Sequence, residues 1–235
     1  MNSSSYSGVA ALRAQERRLE AVAHNLANAN TPAFKRSTSV TEGFLVRLRD
    51  SADQQPKTRH HRDFAQGELK HTDVPTHLGL MGQGFFAIEG DQGELYTRDG
   101  SFRMDDQGVL QTSEGYPVAW NGPRGVIDPT GSPITFEPDG TVKQNGIALG
   151  QLRLVDFEDS QQLELDGSGF FFAPIGLAEV QPEATVHQGA LEGSNSSPVD
   201  ELIELIRVQR NFESVARMMS QVEQTYQRLV RAGVQ

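Results

Sequence analysis

Four consecutive heptads near the C-terminus constrain this chain more than any other feature. Leu205, Phe212, Met219 and Tyr226 recur every seven residues, and Val208, Val215, Val222 and Leu229 recur three places later. These are a and d positions, and every one is apolar. Such a seam is narrower than the stripe of an ordinary globular helix and suits one slender partner helix. The spacing predicts a helix over residues 197–230. Ser197 can serve as its N-cap, Pro198 fits the first helical position, and Asp200 sits where a capping box places an acid. Asp200, Glu201 and Glu204 crowd the positive end of the helix dipole, while Arg228 and Arg231 lie near the negative end. The alternative is a core helix covering a sheet, although four unbroken heptads exceed what a short core helix needs.

The N-terminus carries a weaker version of the same pattern. From Tyr6 to Ala29, Leu12, Leu19 and Leu26 repeat every seven residues, and Val22 and Ala29 fall on the companion row, which Gln15 interrupts. Much of the rest is alanine, which lets a neighbouring helix approach closely but buries little area. Alone in water this helix is marginal, so the C-terminal helix is its natural partner. Asn25, Asn28 and Asn30 then precede Thr31-Pro32. Asparagine amides compete with helical hydrogen bonds, so this run marks a helix ending in a turn. It is either a stop signal alone or a set of amides that bind backbone groups of adjacent helices in an assembly.

Residues 37–74 read as a flexible linker, polar and without periodicity around Asp53–Asp63. Residues 75–185 read as all-β. Nineteen of the 23 glycines lie between Gly79 and Gly193, and turn signals such as Asp99-Gly100, Asn121-Gly122, Asp139-Gly140 and Asn145-Gly146 separate short strands. Phe86 and Ile88 alternate with Phe85 and Ala87 as in a half-buried strand, Leu152 and Leu154 point inward, and Gly169–Phe172 echoes Gly84–Phe86. After Pro182 a polar approach, residues 186–197, leads into the last helix. The expected architecture is α+β: a mostly-β central domain, a partly closed antiparallel barrel-like sheet, inserted between N- and C-terminal coiled-coil-forming helices. Its segments are an axial helix and turn over 1–36, the linker over 37–74, the β-domain over 75–185 and the second axial helix over 186–235.

Composition narrows the function classes. Residues 75–185 hold 17 acidic and 5 basic side chains, a surface that repels phosphate backbones and argues against nucleic acid. The chain has no cysteine, hence no disulfide or thiolate metal site. Its histidines lack the helical spacing of a metal pair, and its glycines lack the spacing of a phosphate loop. No apolar run is long enough to span a membrane, and Met1–Ser7 has neither the basic nor the apolar region of a secretory signal. No motif pairs an acid with a nucleophile, so an enzyme acting on cell wall is disfavoured, as is a binding module built on Phe85, Phe86, Tyr96 and Trp120, which fit a core better.

Several stretches resemble the rod and hook axial proteins of the bacterial flagellum. Ala23–Arg36 (AHNLANANTPAFKR) is similar to that family's N-terminal signature, with His24 where asparagine is usual and Ala33 where glycine is common. Gly82–Ile88 (GQGFFAI), Tyr96–Phe102 (YTRDGSF) and Gly115–Val118 (GYPV) resemble its central motifs. Leu191–Asn195 (LEGSN), Pro198–Leu202 (PVDEL) and Gln209–Glu213 (QRNFE) resemble its C-terminal signature. The resemblance runs in order along nearly the whole chain and is nearest the proximal rod protein, with the distal rod or a hook-type subunit as runner-up.

It implies a structural subunit, not an enzyme, that polymerises into a helical tube with itself and other rod subunits and transmits torque for motility. It further implies passage through the flagellar export apparatus without a cleaved signal and a place in the periplasm-spanning basal body. No cofactor, metal, nucleic acid, small-molecule substrate or membrane insertion is expected. The expected assembly interface comprises Leu12, Leu19, Val22, Asn25, Leu26, Asn28 and Asn30 with Leu205, Val208, Phe212, Val215, Met219, Val222, Tyr226 and Leu229. Ordering two long helices costs as much backbone entropy as one seam returns, or more, so they order only when neighbours add contacts.

Overall fold

The computed structural model describes residues 3–41, 58–166 and 169–232. Much of the stretch read as a linker, residues 42–57, lies outside the described residues, as do the side chains of Tyr226 and Leu229. The chain forms two compact units. One comprises residues 1–29, 36–63 and 196–235; the other comprises residues 30–35 and 64–195.

The first unit is helical. Helix α1 spans Ser3–Ala27 and helix α2 spans Pro198–Ala232. At the start of α2, Ser197 acts as expected: its carbonyl accepts from the Glu201 amide at 3.0 Å, and its hydroxyl lies 3.5 Å from the Asp200 amide. α1 ends within the asparagine run, at Ala27 between Asn25 and Asn28. The helices lie against each other, and Asn25 meets Glu201 while Arg18 meets Glu204, so they run antiparallel. With 35 residues against 25, α2 is longer by about 15 Å at 1.5 Å per residue. Strands Ser37–Thr41 and Thr58–Arg62 pair antiparallel in the same unit, and the first packs on α1. Both strands fall within the segment read as linker.

The second unit is mostly β. Its largest sheet is a curled, half-barrel, antiparallel array of six strands, in the order Glu164–Leu165, Phe171–Phe172, Gly93–Thr97, Phe85–Gly90, Leu154–Phe157, Glu179–Val180. Ile134–Phe136, Thr141–Gln144 and Ile147–Gln151 make a second, three-stranded sheet. The hairpin between its last two strands turns on Asn145 and Gly146, with φ of 55° and 76°, the two left-handed residues a type I′ turn requires.

The strand at Phe85–Gly90 is not half-buried, as its alternation suggested, but covered on both faces. Phe86 and Ile88 join Phe102, Trp120, Ile134 and Leu152 in one core, while Phe85 and Ala87 join Tyr96, Val155, Phe157 and Phe171 in another. Period-two geometry sends adjacent residues to opposite faces. Each phenylalanine doublet therefore feeds both cores, with Phe170 in the first and Phe171 in the second. Rings within each core meet edge-on or tilted, as Phe86–Phe102 does at a 5.0 Å centroid distance.

Candidate functional site

In the β unit the stretches singled out as motifs converge on one carboxylate. Strand Ala190–Glu192 pairs antiparallel with Leu69–His71, which carries the Glu192 side chain inside, where none of it is exposed. Its Oε1 accepts from Lys35 Nζ at 2.7 Å and from the Gly67 amide at 2.9 Å; its Oε2 accepts from Arg98 Nε at 2.9 Å. Arg98 Nη1 donates onward to the carbonyls of Gly82 and Gly84, at 2.8 and 2.6 Å. Lys35 belongs to the N-terminal signature, Gly82, Gly84 and Arg98 to the central ones and Glu192 to the C-terminal one.

The backbone fits this arrangement tightly. A Cβ on Gly67 would lie 2.0 Å from the Gly193 carbonyl oxygen, and Gly82 and Gly84 hold φ of 102° and 141°, which only glycine adopts readily. Ala33, with φ of 55°, donates its amide to the Glu192 carbonyl at 2.8 Å. Its left-handed conformation explains why glycine would suit that position. Phe64, Gln66, Phe85, Asp156 and Ser160 line an open cavity beside the node. Lys35 and Arg98 line it too, with side chains only 1% and 4% exposed; both hold Glu192, and Arg98 Nη2 is buried without a hydrogen-bond partner among the described residues.

The helical unit holds a second buried carboxylate. Glu201, 1% exposed, is met by Arg36 Nε, by Ser196 Oγ at 3.2 Å and by Asn25 Nδ2 at 3.5 Å. The Asn25 amide also brackets Ser37, donating to its carbonyl at 2.8 Å and accepting from its amide at 2.9 Å. Adjacent residues Lys35 and Arg36 thus neutralise different buried glutamates, one in each unit.

The residues expected at an assembly interface divide by environment. Val22 and Val208 are buried, and Leu12, Leu19, Leu26, Leu205, Val215 and Met219 are half-buried. Phe212 and Val222 remain 37% and 45% exposed. Asn25 is buried in the contacts above; Asn28 Nδ2 caps its own helix at the His24 carbonyl; Asn30 is exposed. The heptad reading passed over Leu202, Ile203 and Ile206, which are 45–52% exposed on α2. It also passed over Glu192, Glu201, Lys35, Arg36 and Arg98, the charged members of the motifs. The available signal was their position inside otherwise apolar or glycine-rich signatures.

Three family descriptions match in order along the chain: "Flagella basal body rod protein" over residues 6–35, "Flagellar hook protein FlgE/F/G D1 domain" over 79–144, and "Flagellar basal body rod FlgEFG protein C-terminal" over 187–232. The chain is 36% identical to the flagellar basal-body rod protein FlgF of Caulobacter vibrioides, covering 93% of each chain. It is 33% identical to FlgF of Mesorhizobium japonicum, over 94% of this chain and 93% of that one. Against FlgG of the same Caulobacter it is 29% identical, over 92% and 94%. The matched segments contain Lys35, Gly82, Gly84, Arg98 and Glu192 of one buried carboxylate site and Asn25, Ser196 and Glu201 of the other, while Gly67 and Arg36 lie outside them. The chain belongs to the flagellar basal-body rod protein family.

Proposed function

We propose that this chain is a FlgF-type structural subunit, placed in the proximal rod, whose terminal helices polymerise with copies of itself and other rod subunits into a torque-transmitting shaft. The observation that supports this reading is the apolar surface that α2 keeps exposed although α1 lies against it. Phe212, Met218 and Val222 are exposed along its middle, and Leu202, Ile203 and Ile206 near its start. Apolar side chains repeated along one helix lose contact with water when a neighbouring helix lies over them. The expected interface rows on α1 and α2 form the first layer of that packing, and coiled-coil pairing with neighbours adds the second. Head-to-tail contacts of this kind build an open helical tube.

The higher identity to FlgF than to FlgG within one organism supports the proximal assignment. On this reading the chain is delivered by the flagellar export apparatus without a cleaved signal, and the β unit lends stiffness. The four segments expected from sequence act as two modules: helices with their pair of strands for assembly, and the β unit for rigidity. No helix among the described residues is long and apolar enough to cross a membrane.

The test is to replace Phe212 and Val222 together by aspartate. The variant is expected to remain folded as a monomer, by an unchanged β-unit melt, yet fail to enter rods. Normal incorporation into rods would overturn the reading.

A further inference from the structure

Every passage of the chain out of the β unit occurs beside Glu192. After residues 30–35 the chain leaves at 35/36, re-enters at 63/64 and leaves finally at 195/196. Residues at these three crossings are bonded to one another. Lys35 Nζ donates to the Ala65 carbonyl at 2.9 Å as well as to Glu192, and Asn195 Nδ2 donates to the same Ala65 carbonyl at 3.1 Å. The Asn195 amide donates to the Phe34 carbonyl at 3.3 Å, and the Ala33 amide to the Glu192 carbonyl. The Gly67 amide reaches Glu192 Oε1, and the Gly193 amide reaches the Glu68 carbonyl at 2.8 Å.

We propose that Lys35 and Glu192 are positioning residues, the pin of a clasp that holds segments 33–35, 65–68 and 192–195 as one cooperative element. Neither core includes these residues; Phe64 alone, at the edge of this region, packs against one. The clasp therefore stands on polar contacts: without Lys35 the buried Glu192 keeps Arg98 as its counter-cation, but the ammonium that joins segment 33–35 to Glu192 and to the Ala65 carbonyl is lost. Removing the pin opens all three segments together, because each holds the other two. The two strong cores, built without them, stay closed. This inference concerns contacts inside the β unit and stands whether or not the helices polymerise.

The experiment is amide hydrogen exchange, read by mass spectrometry on the full chain, for Lys35→Met, Lys35→Arg and Asn195→Ala. Lys35→Met is expected to speed exchange about ten-fold or more in all three segments, while Phe86–Ile88 changes much less. Lys35→Arg, which keeps the charge, is expected to restore most of the protection. Should Lys35→Met fail to fold, the milder Asn195→Ala is expected to loosen residues 34–35 and 65–67 together by a few-fold. Loosening confined to the substituted segment, or an equal rise throughout Phe86–Ile88, would overturn the clasp.

Discussion

The two units solve one problem, a buried glutamate, in different settings. Glu192 sits beside cores in which Phe86, Ile88, Val118, Val142 and Leu152 are fully buried, and its partners Lys35 and Arg98 are almost wholly inside. Glu201 is as buried, but its partner Arg36 is 36% exposed, and among the described residues of the two helices Val208 is the one large apolar side chain buried completely. The β unit closes two apolar cores within one chain, while Val126, Ile147 and Ile175 stay exposed on it. The helical unit has a satisfied polar anchor at one end and uncovered apolar residues along the rest of α2. Burial of a charge therefore does not distinguish the two settings; the apolar side chains fully buried around it do.

Substitutions that separate the two units sharpen this contrast. The largest effect is expected at Phe86, where Phe86→Ala should destabilise the β unit by about 3–5 kcal/mol, read from denaturant unfolding followed by Trp120 fluorescence. Val208 in α2 is equally buried, yet Val208→Ala should leave that Trp120 transition within about 0.5 kcal/mol, because its contacts lie in the other unit. A large shift of the same transition would break the division.

Next comes the pair of glutamates. Glu192→Gln is expected to cost the β unit about 3 kcal/mol, the scale for breaking a buried ion pair. Glu201→Gln should cost the helical unit about 1–2 kcal/mol, since solvent screens its half-exposed partner. Thermal unfolding by circular dichroism at 222 nm for the helices and Trp120 fluorescence for the β unit compares them. Equal losses would mean that partner exposure does not matter here. The smallest effect is expected at Ala33, whose left-handed φ of 55° is strained for alanine. Ala33→Gly should stabilise the β unit by about 0.5–1 kcal/mol after the glycine's unfolded-state entropy is counted, seen as a higher denaturation midpoint.

The periodic elements were legible in the sequence. Ser197 and Pro198 marked the start of α2, Asn145-Gly146 marked a hairpin, and spaced glycines marked the β unit, because each is a local rule. Burial of both faces of Phe85–Gly90 was not legible, since alternation along one strand does not say how many layers cover it. Nor were the carboxylate sites. Glu192 and Glu201 are two acids among 31, and only the fold brings residues 35, 98 and 192 together. Glu201 was visible as a favourable charge at a helix start, which concealed its role as a buried anchor. Strands Ser37–Thr41 and Thr58–Arg62 were hidden by their polar composition, which shows no alternation of apolar and polar residues.

The most direct measurement is limited trypsin digestion of the chain before and after polymerisation. The account predicts that Arg207, Arg210, Arg217 and Arg228 on α2 are cut first in the monomer while Arg98, Arg103 and Arg153 in the β unit resist, and that assembly protects the α2 sites. Contradiction would come from α2 sites as resistant in the monomer as those of the β unit, or still open to cleavage in the assembled rod.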